Sequence, residues 1–251
     1  MSESAADRPA TDESVALGDV DPARSRHAGR RSAVALADGT IVVGTADGTV
    51  RAFDRDSLAE RWSVEATDRD ASIVSLAPFA SGIVVGERGP DGAVRVLDGD
   101  TGEVRWQYQT ADDVGEAQRD TRFYLPFVVD LIAGEHHVYA ASRRYERDGD
   151  GRAFDSAVYA FEPGGTVAWT AETDASPISL DVRGDRVAVA YNRCPGAHQH
   201  GLVVLDADSG ADRVHWDPGT DGQRRVGDVS LVDGGVAVAS HGDYRGYWLD
   251  E

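Results

Sequence analysis

The stretch Ile83-Val-Val-Gly86-Glu-Arg-Gly-Pro-Asp-Gly-Ala93-Val-Arg-Val-Leu-Asp98-Gly-Asp-Thr-Gly102-Glu-Val-Arg-Trp106 decides the fold. An apolar run ends in Gly, a turn follows, a second apolar run closes on an acid, and a tight Asp-Gly-Asp-Thr-Gly turn leads to a segment holding Trp. The same order recurs along the chain. Ala93 to Asp98 has counterparts in Thr49-Val-Arg-Ala-Phe-Asp54, Ala157-Val-Tyr-Ala-Phe-Glu162, Gly201-Leu-Val-Val-Leu-Asp206 and Arg245-Gly-Tyr-Trp-Leu-Asp250. The closing acids stand 44, 64, 44 and 44 residues apart. A fixed period of this size marks a repeat architecture.

The other columns agree. Runs that end in Gly or Ala precede each acid: Ile41–Gly44, Ile83–Gly86, Val138–Ala141, Val187–Ala190 and Val236–Ala239. A further apolar segment precedes each run, and Trp62, Trp106, Trp169 and Trp216 follow the first four acids. Each unit therefore reads as four short strands, A to D, joined by turns rich in Gly, Asp and Ser. Apolar residues at both parities of strands B and C mean a sheet buried on both faces. The predicted fold class is all-β: a β-propeller of four-stranded blades, four of them complete, with strands A, B and C of a partial fifth. Blade-to-blade packing is the expected role of the four recurring Trp residues. Three arrangements complete the fifth blade: a strand D from Ser14–Val20, membership of a larger ring, or self-association through open blade edges.

Composition excludes several function classes. The chain has 251 residues with 44 acidic and 25 basic side chains, a formal net charge of −19 and one Cys. All the basic residues are Arg. Such a charge repels phosphate backbones, which argues against nucleic-acid partners. One Cys allows no internal disulfide. The longest uncharged stretch, Ala71 to Gly86, is too short for a membrane span. A dense acidic surface stays hydrated in strong salt, and with the missing Lys it fits a halophilic, archaeal origin. Residues 1–30 read as a disordered lead-in and 31–251 as the propeller repeats. Arg30-Arg31 is followed by no long apolar run, so no export signal is drawn and the chain is read as cytoplasmic.

The pattern from Ile83 to Trp106 resembles the PQQ-like propeller repeat of quinoprotein dehydrogenases and of the BamB-type assembly factor. The resemblance covers about residues 32 to 250 and is strongest in blades 1 and 2. It implies the propeller fold, and one fold hosts many functions. The quinoprotein enzymes it points to are eight-bladed rings with a vicinal disulfide over the cofactor and a calcium site. One Cys and five blades depart from that pattern. No catalytic residue carries over, and no cofactor is assigned.

Loop lengths point to a side. The 20 extra residues of the long period divide between the linker after blade 2 and the B–C loop of blade 3, and blade 4 also has a long B–C loop. B–C and D–A connections share one face, whereas A–B and C–D turns on the other stay short. Long loops on a rigid scaffold mark the expected binding face. Its candidate binding residues are Tyr124 in the linker 110–126, Arg143, Tyr145, Asp148 and Asp150 in the loop 142–152, Arg193, His198 and His200 in the loop 191–200, and His241. Arg143, Arg144, Arg147 and Arg193 suit a carboxylate or phosphate, and in so acidic a chain pairing with neighbouring Asp and Glu is the favoured expectation. Asp148-Gly-Asp150-Gly has calcium-loop character, but Tyr159 stands where an EF-hand places its bidentate Glu. Cys194, His198 and His200 are soft donors suited to zinc, at a spacing that matches no strong motif. The favoured function is a non-catalytic binding or scaffold propeller that presents this face to a protein or small ligand. The alternatives are a metal- or ligand-dependent, quinoprotein-like enzyme on the same face, and a regulatory sensor.

Overall fold

The computed structural model describes residues 14–15, 33–119, 121, 123–219, 225–240, 243 and 245–250. Nineteen strands and one short helix run through them. Blade 1 is β1 (Ala33–Ala37), β2 (Thr40–Gly44), β3 (Thr49–Asp54) and β4 (Glu60–Glu65). Blade 2 is β5 (Ser72–Phe79), β6 (Gly82–Arg88), β7 (Ala93–Asp98) and β8 (Val104–Gln109), followed by α1 (Ala111–Val114). Blade 3 is β9 (Phe127–Ala133), β10 (Val138–Glu146), β11 (Ala153–Phe161) and β12 (Val167–Thr173). Blade 4 is β13 (Ser176–Arg183), β14 (Arg186–Arg193), β15 (Leu202–Asp206) and β16 (Asp212–Trp216). Blade 5 holds β17 (Val226–Val232), β18 (Gly235–Ser240) and β19 (Gly246–Asp250). Every sheet is an antiparallel meander in chain order, and the sheets of blades 2 and 3 join through the single pair Arg88↔Phe127. The chain is an all-β propeller of four-stranded blades.

The lead-in apart from Ser14 and Val15, the rest of the proposed strand D, and His241 lie outside the described residues. Ser14 and Val15 are in no strand.

The repeat is visible in small irregularities as well as in strands. The C–D pair of each complete blade shifts register just before its closing acid, at Ala52/Phe53, Val96/Leu97, Ala160/Phe161 and Val204/Leu205. Such bulges sharpen the local twist, as blades stacked around an axis require. Four apolar clusters fill the four interfaces between successive blades. Strand C divides its side chains between them: Val96 faces blade 3, while Leu97 joins the cluster with blade 1. Blade 1 has no described neighbour on its other side, and there Val34 and Leu36 are 71% and 57% exposed. The matching residues of blade 4, Leu180 and Val182, pack into the cluster with blade 3.

The Trp residues lock blades together. The indole N–H of Trp62 donates to Gly99 O at 3.0 Å, that of Trp106 to Pro163 O at 3.0 Å, and that of Trp169 to Ala207 O at 2.9 Å. Each bond reaches the C–D turn of the next blade. Trp216 instead packs on Tyr247 of blade 5, ring centroids 5.0 Å apart.

The C–D turns repeat as well. In blades 1, 2 and 4 the closing acid accepts the backbone N–H of the residues two and three positions on. It also accepts a Ser or Thr hydroxyl at the third position: Ser57, Thr101 or Ser209. Its second oxygen meets Arg61, Arg105 or Arg213 on strand D. The turn is tied in turn to the A–B turn of its own blade, through Arg55 N–H to Gly39 O, Gly99 N–H to Ser81 O and Ala207 N–H to Asp185 O. The A–B and C–D turns therefore share one face.

Two stretches expected to be loop are strand. Ser142 to Glu146 continue β10 and pair with Ala153 to Ala157, so that only residues 147–152 form the turn of a projecting hairpin. The alternation Arg143-Arg-Tyr-Glu against Phe154-Asp-Ser supports the extension: Tyr145 sits opposite Phe154, and Arg144 opposite Asp155 in an ion pair. Cross-strand aromatic and opposite-charge pairs stabilise such ladders. Likewise Tyr191 to Arg193 close β14, which leaves a loop of residues 194–201.

Candidate functional site

The face opposite the tight turns holds an open cavity of about 690 Å³ over blade 3. Three elements wall it: α1 and Gly115 after blade 2, the B–C hairpin and the end of strand D of blade 3, and the loop of blade 4 at Ala197 and His198. Arg144 is the post between the first two. Its Nε donates to Val114 O at 2.6 Å and its Nη1 to Glu116 O at 2.8 Å, and it pairs with Glu146 and Asp155. Asp174 ties in the third. Its carboxylate accepts the backbone N–H groups of Ala197 and of His198, the latter at 2.9 Å. Burial raises the Asp174 carboxyl, but these N–H donors outweigh it and hold the group below its usual value. Gly196 permits that contact, because a Cβ there would stand 2.1 Å from Asp174 Oδ2.

Asp113 anchors the other wall. Its Oδ2 accepts the hydroxyls of Tyr108 at 2.8 Å and Tyr159 at 3.0 Å. Burial, then the Asp113 carboxylate, pushes the Tyr108 phenol up to about 12. Asp113, Glu172 and Asp174 line the cavity and form no ion pair with an arginine of the described residues. Ser156 lines it too; it is 4% exposed, and its Oγ has no hydrogen-bond partner.

Arg144, one of the arginines singled out in the sequence, lines the cavity, and of the candidate binding residues only His198 does. Its ring lies 4.4 Å from that of Tyr191, and burial lowers its pKa. Its Nε2 sits 2.8 Å from His200 O, the same carbonyl that the Cys194 thiol approaches at 3.4 Å. Both side chains therefore close the loop on itself. Burial pushes the Cys194 thiol up to about 11, which disfavours the thiolate a metal needs. His200 stacks on His215, centroids 4.4 Å apart. Among the described residues no group of three or more His, Cys, Asp or Glu is placed to hold a metal ion.

Tyr124 and Tyr145 are buried together with Phe154 under the exposed Phe123, at centroid distances of 4.4 to 5.8 Å. This cluster fixes the linker against the hairpin. Arg143 donates to Ser176 Oγ and lies over the rings of Phe127 and Phe154. Arg193 pairs with Ser176 across the sheet. Asp148 and Asp150 are exposed at the hairpin tip, away from the cavity. Sequence reading missed Glu172, Asp155, Asp174 and Ser156 because they stand in or just after ordinary strands: Asp155 and Ser156 within β11, Glu172 near the end of β12 and Asp174 just beyond it. Only the approach of α1 and of the blade 4 loop to blade 3 gives them a common place.

Comparison with known proteins agrees with this architecture. Residues 23–147 match the family model described as outer membrane protein assembly factor BamB. No curated protein matches the sequence. Quinohemoprotein alcohol dehydrogenase from Comamonas testosteroni superimposes with a TM-score of 0.64 at 14% identity, over 87% of this chain and 42% of that one. Raptor from Chaetomium thermophilum gives 0.61 at 16% identity, over 87% of this chain and 18% of that one. BamB from Moraxella catarrhalis gives 0.30 at 15% identity, over 87% and 82%. The chain thus spans less than half the length of the first two, and at these identities the likeness carries the fold alone. Repeat period, blade topology and family match converge: the chain is a PQQ-like repeat protein.

Proposed function

We propose that the chain is a non-catalytic binding propeller whose long-loop face receives a protein partner. One observation carries this reading: the inserted linker, the extended hairpin and the long loop of blade 4 converge on one cavity. Blades that needed only to stack had no use for these segments, and loops on a rigid scaffold are where binding residues gather. The family matched by residues 23–147 is described as an assembly factor, which fits a scaffold role. The described residues do not fit a quinone site of the kind the resemblance implies. The chain's one Cys cannot form a vicinal disulfide, and among the described residues no group of three or more His, Cys, Asp or Glu is placed to hold a metal ion.

Capture of partners in molar salt tests the proposal. Two variants are compared with the parent: one with residues 147–152 cut to Asn-Gly, and one with Asp100→Asn and Asp208→Asn on the tight-turn face. Loss of a partner in the first alone supports it; loss in the second alone overturns it. We further propose a cytoplasmic, salt-adapted protein. Its net charge of −19 supports the second point, and no helix of the described residues is long and apolar enough to cross a membrane. Retention of fold in molar KCl and unfolding at low salt checks the salt adaptation.

A further inference from the structure

We infer that the projecting hairpin of blade 3, with the linker packed on it, docks an acidic segment of a protein partner, one that sets carboxylates beside an apolar side chain. The inference rests on the long-loop face being the binding face and names the chemistry of what that face receives. The apolar seat is Phe123, which is 45% exposed. Its ring lies 4.4 Å from that of Tyr145 and 5.8 Å from that of Tyr124, and both tyrosines are buried with Phe154. A ring on so fixed a bed loses little freedom when a partner covers it, and aromatic groups placed this way carry much of the energy of protein contacts.

The charge around that ring selects the partner. Exposed arginines elsewhere are paired: Arg61 with Asp54, Arg105 with Asp98, Arg183 with Asp233, and Arg213 with Asp185 and Asp206. Arg119, Arg147 and Arg152 are exposed and form no ion pair among the described residues, in a chain with 44 acids. The Arg119 guanidinium lies 5.2 Å from the centre of the Tyr124 ring. The Arg147 N–H approaches Gln118 Oε1 at 3.5 Å, which sets it beside the linker. Arg147 and Arg152 flank the turn directly beyond the last ladder pair, Glu146↔Ala153. They stand two residues past Tyr145 and two before Phe154, the spacing that keeps side chains on one side of a ladder. Asp148 and Asp150 lie further out in the turn and pair with neither. Three guanidinium groups therefore surround one exposed ring. Each offers parallel N–H donors that match a carboxylate. On a chain of net charge −19, such a patch receives an acidic segment that the rest of the surface repels.

Fluorescence anisotropy of the full chain in molar KCl tests this with three labelled peptides: Asp-Glu-Phe-Asp-Glu, its amide counterpart Asn-Gln-Phe-Asn-Gln, and Asp-Glu-Ala-Asp-Glu. At that salt the screening length is about 3 Å, so direct contacts are what the peptides report. The first peptide is expected to bind, the amide peptide about tenfold more weakly and the Ala peptide about fivefold more weakly. Arg147→Gln with Arg152→Gln is expected to weaken the acidic peptides about tenfold, to leave the amide peptide unmoved and to keep the melting temperature. Phe123→Ala is expected to weaken the Phe peptides severalfold and to leave the Ala peptide unmoved. Equal binding of the acidic and amide peptides, or titrations unmoved by the arginine variant, overturns the inference. Tighter binding of oligothymidine than of the acidic peptide assigns the patch to a phosphate backbone and overturns it too. So does self-association in sedimentation that the arginine variant abolishes, which assigns the patch to a second copy. If shortening the hairpin abolishes partner capture while no acidic peptide binds, the binding face stands and the acidic-segment chemistry falls. If the acidic peptide binds and partner capture ignores the hairpin, the face reading falls instead.

Discussion

The two faces of this propeller are made by the same strands and built on opposite rules. On the tight-turn face one device recurs in blade after blade: an acid closes strand C, its carboxylate gathers the turn, and an arginine of strand D completes it. On the long-loop face the B–C turns of blades 1 and 2 still match, Gly48 N–H and Gly92 N–H each bonding the carbonyl three residues back, but the connections of blades 3 and 4 depart from them and from each other. Repetition marks what stacking requires, since every blade must meet its neighbour in one geometry. Departure marks what stacking leaves free.

The largest effect is expected where the long-loop side is locked instead of open. Glu87 and Arg95 of blade 2 form a buried pair, Nη2 to Oε1 2.6 Å, with side chains 1% and 3% exposed. Glu87 also accepts the hydroxyl of Thr67 at 2.6 Å, and Arg95 donates to Glu65 O at 3.1 Å, so that the pair ties the blade 1 to blade 2 connection. Glu87→Ala strands a buried guanidinium and is expected to cost about 3–5 kcal/mol. Replacing both by apolar residues, Glu87→Leu with Arg95→Met, is expected to recover much of that. Denaturant unfolding of the single and double variants checks it; equal losses in the two would show that volume, not charge, is at stake.

The next effect breaks the repeated face at its tightest point. Gly165 and Gly210 have φ of 91° and 69°, and a Cβ on either would stand 2.7 Å from the ring of Trp106 or Trp169. Gly165→Ala adds left-handed strain to a collision with an indole held by its own hydrogen bond, and is expected to cost about 2–4 kcal/mol. Blade 1 supplies the converse. Leu58 holds the same turn position at φ 52°, and no Trp-bearing blade among the described residues packs against it. Leu58→Gly is therefore expected to be neutral or stabilising by up to about 1 kcal/mol. A loss of stability in that variant would show that Leu58 packs against something essential.

This contrast explains how much was legible. The turn Asp98-Gly-Asp-Thr-Gly102 holds all its partners within seven residues, and a local pattern repeated at one period is visible in a single chain. The blade count, the strand order and the packing role of the Trp residues followed from it. The cavity was not legible in the same way. Asp113, Ser156 and Asp174 belong to three different connections and carry no shared spacing. Loop length located their face, but it pointed to Tyr145 and Asp148, which the extended β10–β11 ladder either buries or carries to the tip.

The turn acids give a smaller effect that depends on pH. Asp98 is held at about 2 by Arg105 and by the Thr101 and Asp100 N–H groups, and Asp206 at about 2 by the Ser209 hydroxyl, Arg213 and the Ser209 N–H. Folding lowers both, so the stability they add is fully present above the unfolded value of about 4 and is lost as pH falls toward 2. Asp98→Asn with Asp206→Asn is expected to lower the melting temperature at pH 7 and to match the parent near pH 2. A difference that persists undiminished at pH 2 would mean that these acids act through geometry alone.

The smallest effect is expected at the hairpin tip. Asp148 and Asp150 are exposed in the turn that joins β10 to β11, and neither side chain takes part in an ion pair of the described residues. Surface changes of this kind stay within about 0.5 kcal/mol. Asp148→Asn with Asp150→Asn is expected to leave unfolding and acid sensitivity unmoved, unlike the same substitution at Asp98 and Asp206. The comparison is informative because the chemistry is identical and only the face differs. On the tight-turn face an Asp gathers three donors and an arginine, so its charge is structural. At the tip an Asp faces water, so its charge is available to whatever approaches. A loss of partner capture in the tip variant, without loss of stability, would place the contact surface on the hairpin as well as in the cavity below it.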